Sequence, residues 1–464
     1  MKLNNILSAG TLAVVMTAMA SCSKSKTEIL DTIPADAPVA AVIDVKALCS
    51  DCGITLSAEG FSADSAIDAR LSPEMRGNLA AMGRLSGGAA DLSSTVVFMT
   101  ADKETFCTFG IESFEALREA CGERVSWGAD AAGMHVGTIP ESSTVVASET
   151  QVWISDLSAT KAPEAVKKLA AAAAENPLGK LEGIAGWLRQ GGLANIVSAT
   201  GSGPRSTHAE AQEALWNAGT LSSDDTGLHL SATMMTGDGE RKAVDGLRPI
   251  NPALLGYAGD HPRIALAFGV APGFDWTSLQ KLASLTGDFS TMAMFSTALP
   301  YLKAIDGTVM AAAQPFDPSQ TGPFDIATWH YVLLAHMPQD KVDELLGTVR
   351  SMCFSAGISP EDAGEGILRI RQFGGEVYIG MVDGCLGVSN RPFSPAGQNQ
   401  LAPLFADKGA AATALLPSLA AYGPGLPSWG LELKGSYAGD EARVDVTTPG
   451  AGGPVLLNLL SILI

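Results

Sequence analysis

Positive charge is what this chain has least of. Its 30 Lys and Arg stand against 49 Asp and Glu, a formal net charge of -19, and charged residues of both signs make up only 17% of the 464 residues. A body this acidic is repelled by nucleic acid and by anionic headgroups, and no local basic patch offsets the balance, so nucleic acid is excluded as a partner. Histidine is sparse too. The six, His135, His208, His229, His261, His330 and His336, are never set at HxH, HxxxH or HExxH spacing, so they indicate no metal site. Asp224-Asp225 and Asp238-Gly239-Glu240 lack the regular oxygen spacing of a calcium loop and read as solvated turns. The G-x-S-x-G elbow, S-x-x-K, the P-loop and a G-x-G-x-x-G after a strand are missing as well, so the chain carries no enzymatic signature and no cofactor is expected.

What the chain does have is apolar residues, 46% of the total, enough to fill the cores of two or three domains and to exclude disorder over most of the body. One apolar run stands apart. After Lys2 it extends from Ile6 to Met19, broken by small residues, and closes in Ala20-Ser21-Cys22. It is too short and wrongly flanked for a spanning helix and has the layout of a secretory signal. A Cys directly after the cleavage site resembles the diacylglycerol acceptor of bacterial lipoproteins. That resemblance implies removal of residues 1–21, lipidation at Cys22 and a membrane partner reached through the lipid, several acyl chains being enough for stable anchoring. Residues 22–32 then read as a short polar tether. The C-terminal run Val455 to Ile464, within an apolar segment over 450–464, is too short to span and is expected to pack as a last helix on the body.

Between these ends the same architecture reads as if written twice, over 33–243 and 244–449. Each copy opens turn, buried strand, helix: Ile33-Pro34-Ala35-Asp36-Ala37-Pro38 into Val39 to Val45, and Ile250-Asn251-Pro252 through His261-Pro262-Arg263 into Ile264 to Val270. Each then places two strands before a helix and a hairpin. In the first copy these are 95–99, 106–109, 113–121, 134–139 and 144–155; in the second, 308–313, 329–335, 339–353, 367–373 and 376–389. Val342, Leu345, Leu346 and Val349 recur at helical spacing, whereas Leu368, Ile370 and Val377, Ile379 alternate as in strands. Gly374-Gly375 stands where a hairpin turn needs a positive φ. Gly227 to Thr233 matches Gly430 to Ser436 near the end of each copy. The expected fold is therefore α+β, two tandem similar domains, each a mostly antiparallel sheet covered by helices on one face.

The lipidation box, the Ile-Pro-x-Asp-Ala opening with its strand ending Val42-Ile43-Asp44, and the hairpin Val377 to Val388 together resemble a family of Bacteroidales-type cell-envelope lipoproteins, a domain of unknown function. The resemblance covers most of the chain after Cys22. It implies an envelope location and brings no catalytic residues. Because Ser23-Lys24-Ser25-Lys26-Thr27 is basic rather than acidic, it points to the periplasmic face of the outer membrane. Asp31-Thr32-Ile33 and Asp64-Ser65-Ala66 are similar to the O-glycan acceptor of such bacteria, with Thr32 and Ser65 as the acceptors.

Six cysteines follow Cys22, an even number that in an exported chain favours disulfides. Cys49 and Cys52 form a C-x-x-C pair at an expected helix start, read as a small structural bridge, with thiol-disulfide exchange as the alternative. Cys107 with Cys121, and Cys353 with Cys385, are read as bridges across a helix and its sheet, or else as buried thiols packing as small hydrophobes. Function is expected to be non-enzymatic binding or scaffolding of an unknown envelope protein or ligand, in a groove created by duplication, with Trp276, Trp329, Tyr331 and Tyr378 as aromatic candidates. The competing expectation is an oxidoreductase or isomerase using Cys49 and Cys52.

Overall fold

The structure, a computed structural model, describes residues 29–63, 65–69, 71–139, 143–201, 205, 207–260, 262–276, 300–372, 375–395 and 402–463. The chain is α+β and its strand pairings are antiparallel. It divides into two compact units: the described residues up to Lys242 together with those from Gly452 on, and Ala243–Ala451. The signal, Cys22, His261, Gly374 and the residues between Trp276 and Pro300 lie outside the described residues.

In the first unit the strands are β1 (Val39–Ile43), β2 (Ile54–Ser57), β3 (Gly60–Ala63), β4 (Thr95–Met99), β5 (Thr105–Gly110), β6 (Ser126–Trp127), β7 (His135–Ile139), β8 (Ser143–Ala147), β9 (Gln151–Ser155), β10 (Ala194–Ala199), β11 (Leu215–Asp224), β12 (Gly227–Thr236) and β13 (Arg241–Lys242). β2 and β3 form a separate hairpin. The others pair in the order β6-β7-β8-β9-β5-β4-β1-β10-β11-β12-β13.

Helices cover both faces of this sheet, not one as the sequence suggested. On one face α5 (Ala162–Glu175) and α6 (Glu182–Leu188) bring Val166, Leu169, Ile184 and Trp187 onto Phe98, Phe106 and Trp216. On the other, α1 (Val45–Asp51), α3 (Pro73–Ser86) and α4 (Phe114–Cys121) bring Val45, Leu79, Met82 and Leu117 onto Cys107, Phe109 and Ile154. Double coverage explains why β8 and β9 are buried at every position, where a half-exposed strand would alternate. A short α2 (Ser65–Asp68) leads into α3, which starts with Pro73 behind Ser72, whose Oγ accepts from the Met75 N–H at 3.1 Å.

The segment read as tether is corrected at its far end. Ile29, Leu30 and Ile33 are fully buried in the same cluster as Leu178, Leu181 and Ile184, so residues 29–32 belong to the packed body. The last helix, α10 (Val455–Leu463), belongs to this unit too, with Leu456 and Leu457 packing toward the Cys107 face.

The second unit holds β14 (Leu247–Arg248), β15 (Ile264–Val270), β16 (Thr308–Pro315), β17 (Trp329–His336), β18 (Glu361–Asp362), β19 (Leu368–Gln372), β20 (Gly375–Val382), β21 (Cys385–Ser389), β22 (Ala410–Leu416), β23 (Leu431–Ala438) and β24 (Glu441–Thr447). The order is β18-β19-β20-β21-β17-β16-β15-β22-β23-β24, with β14 on the far end of β15. β20 turns into β21 through Asp383 (φ 48) and Gly384 (φ 76), the Asp-Gly pair that a tight hairpin turn requires. α8 (Gln339–Ser355) lays Val342 and Leu346 over Leu368, Ile379 and Leu386, and its Cys353 is also buried. The helical turn Pro252–Ala258 and the short α9 (Ala402–Phe405) cover the opposite face, where Ala265, Ala267, Met310, Val332 and Leu334 lie.

Candidate functional site

All six described cysteines are free thiols, so the three bridges read from the sequence are corrected. The reason is clearest for Cys353 and Cys385. Cys353 is buried on α8, whose Val342 and Leu346 pack on the Leu386 face of the sheet, but Cys385 opens β21 with its side chain on the other face, beside Met310 and Leu334. A one-residue step along a strand reverses the face, and the sheet itself separates the two sulfurs. Cys107 and Cys121 do share a face, yet Cys107 sits within β5 and Cys121 is the last residue of α4, and no bond joins them.

Cys49 and Cys52 are placed at the wrong end of a helix for redox work. α1 starts at Val45 behind its N-cap Asp44, so Cys49 falls in its last turn and Cys52 caps its C-terminus. The exposed carbonyls there oppose a thiolate, whereas the N–H groups of a helix start would favour one. Burial pushes the Cys49 thiol up to about 11. Burial, helped by Cys49 and Asp51, pushes Cys52 to about 12. Asp51 is itself engaged, its carboxylate accepting from the Ser223 hydroxyl. Both thiols act as core hydrophobes among Ile54, Leu79 and Leu85.

The two glycan candidates fare differently. Thr32 donates its hydroxyl to the Ile29 carbonyl at 2.7 Å and accepts from Gln151 Nε2 at 2.8 Å, so its oxygen is used on both sides. Ser65 is exposed at the start of α2. Of the aromatic candidates, Trp276, Trp329 and Tyr378 are buried and Tyr331 is half-buried. Among the described residues no three His, Cys, Asp or Glu side chains stand together as a metal site would need. Two of the histidines serve local structure: His229 Nε2 lies 3.0 Å from Asp224 Oδ1 across the β11–β12 turn, and His135 stacks on Phe114 with its centroid at 3.5 Å.

One feature of the first unit has the geometry of a binding site. A groove of about 510 Å³ runs along α5, opposite the β4–β5 turn and the Pro34–Asp36 segment. Lys161, Glu164, Ala165, Lys168, Leu169 and Ala172 line it at intervals of three and four, so a single stripe of the helix forms one wall. Asp36, Asp102 and Glu104 line the groove as well, with Pro34, Ala101 and Leu157 as its further apolar members. Thr100 shapes the turn by accepting from the Glu104 N–H at 3.1 Å. Arg205 holds the other rim by donating to the Asp36 carbonyl at 3.3 Å. The sequence offered no signal for this groove, because its walls come from segments some sixty residues apart or more, and its charged residues look like ordinary surface.

The second unit offers a different surface. β15 and β17 carry Ile264, Leu266 and Leu333 at 38%, 45% and 39% exposure, on the same face as Ala311, Ala313, Ala412 and Ala414 of the paired strands. No charged side chain interrupts these positions. No family model matches the chain, and comparison with curated proteins and with solved structures finds no significant relative.

Proposed function

We propose that this chain is a lipid-anchored cell-envelope protein, cleaved before Cys22 and acylated there, in which two tandem copies of one fold serve non-enzymatic binding or scaffolding. The observation that carries the anchoring is the apolar run Ile6 to Met19 closing in Ala20-Ser21 directly before Cys22. With Ile29 fully buried, the seven steps from Cys22 reach about 25 Å at most, so the lipid would hold the body against its membrane. Among the described residues no helix is long and apolar enough to cross a membrane. The basic Lys24 and Lys26 favour the periplasmic face of the outer membrane as the location.

Duplication is supported by the strand orders. If β1 is set on β15, then β4 and β5 fall on β16 and β17, β6 to β9 on β18 to β21, and β10 to β12 on β22 to β24. α4 and α8 then occupy the same connection. This correspondence moves one match made from sequence, since Gly227 to Thr233 lies on β12 and Gly430 to Ser436 runs onto β23, the equivalent of β11.

Binding is assigned to the groove along α5, where Lys161, Lys168, Asp102 and Glu104 line one groove and make no ion pair among the described residues. Replacing Cys22 with Ala tests the anchoring half of the reading. The variant should move from the membrane fraction to the soluble fraction of the envelope. A variant that still needs detergent for release would overturn it.

A further inference from the structure

From the groove along α5 we infer the class of ligand, a short extended peptide carrying both an amine and a carboxylate, an inference that rests on the groove being the binding site. One wall presents Lys161 and Lys168, and the other presents Asp36, Asp102 and Glu104. Opposite charges on facing walls ordinarily close on one another. Here none of these side chains makes an ion pair among the described residues, although the groove holds both signs. Even Glu164 and Lys168, at the i and i+4 spacing that pairs best on a helix, stay apart. A molecule lying in the groove can therefore meet both signs with its opposite charges.

Size and floor narrow the class. The lining stripe spans eleven helical rises from Lys161 to Ala172, about 16 Å, and an extended tetrapeptide covers about 13 Å. Ala101, Leu157 and Leu169 give small apolar side chains a place between the charged ends. Amines of the ligand are placed on Asp102 and Glu104, and its carboxylates on Lys161 and Lys168. A ligand of one sign meets attraction on one wall and repulsion on the other.

The test is calorimetric titration of the chain from residue 23 with three tetrapeptides acetylated at the N-terminus and amidated at the C-terminus, Lys-Ala-Ala-Glu, Lys-Ala-Ala-Lys and Glu-Ala-Ala-Glu, at low salt. Lys-Ala-Ala-Glu should saturate and the single-sign peptides should bind at least about fivefold more weakly. The Lys161→Ala/Lys168→Ala and Asp102→Asn/Glu104→Gln variants should each weaken Lys-Ala-Ala-Glu by about fivefold, the scale of two exposed charge pairs lost. Lys161→Glu/Lys168→Glu should shift the preference to Lys-Ala-Ala-Lys, a reversal that no loss of folding imitates. If a single-sign peptide binds as well and both double variants abolish its binding, the ligand class is wrong and the groove stands. If binding is unchanged in both double variants, or no peptide saturates, the groove itself is not a peptide site.

Discussion

Replacing Leu30 with Ala should unfold the first unit more readily, although the residue lies in a stretch that looks like tether. Leu30 is fully buried, in one cluster with Ile29, Ile33, Leu178, Leu181 and Ile184. Removing a buried Leu down to Cβ costs about 2–5 kcal/mol, the lost transfer energy plus the cavity left behind. A value of about 3 kcal/mol is apt here, because the neighbours come from two separate segments, 29–33 and 178–184, and cannot collapse together into the space. For a unit of this size each kcal/mol moves the midpoint by about 2–4 °C, so the expected shift is about 6–12 °C. The assay is scanning calorimetry on the chain from residue 23, read on the transition of the first unit. The transition of the second unit should stay in place. Ser65→Ala, at an exposed position, is the control and should move nothing beyond about 0.5 kcal/mol. A Leu30→Ala midpoint within 1 °C of the parent would refute the packing of this segment.

Thiol chemistry gives the second prediction. With Cys49 at about 11 and Cys52 at about 12, only about 0.1% or less of either is thiolate at pH 8, so a disulfide reagent should label them only after denaturation. Rapid stoichiometric labelling of the native protein would contradict this. Because these thiols, and Cys107 at about 12, are raised in the fold, they cost no stability below about pH 9. Stability of the first unit should then fall between pH 9 and 12, as the unfolded chain loses protons that the fold retains, and Cys107→Ala should flatten that fall in alkaline urea titrations. Gly83→Ala should destabilise, against the helix propensity gain of about 1 kcal/mol, since a Cβ there would lie 1.5 Å from the Gly60 carbonyl oxygen. A raised midpoint would show that α3 and β3 are not in contact. Thr32→Ala should cost about 1–2 kcal/mol in the same melts by leaving Gln151 one acceptor short, and no change would deny that bond.

Much of the fold was legible because its signals are local. The strands read at 308–313 and 329–335 and the helix at 339–353 extend by one to a few residues in the structure. Signals that depend on a partner were harder. Ile29 and Leu30 look like the end of a polar segment until Leu178 and Ile184 are seen beside them. The helix holding Cys49 shows its start only through Asp44, whose carboxylate accepts from the Ala47 N–H at 2.9 Å, and a shift of four residues turns a helix start into a helix end. Disulfide readings failed for a related reason: spacing shows which element carries a cysteine, but the face of Cys385 depends on the register of β21 against β17. The groove was invisible in sequence, since it forms only when α5 is laid across the β4–β5 turn.

The anchoring claim is tested most directly by the intact mass of the protein extracted from membranes with detergent. The account gives a chain that begins at Cys22 and carries a diacylglyceryl group with an additional acyl chain on that residue. A mass equal to the unmodified polypeptide, whether it starts at Met1 or after any other cleavage, would contradict it.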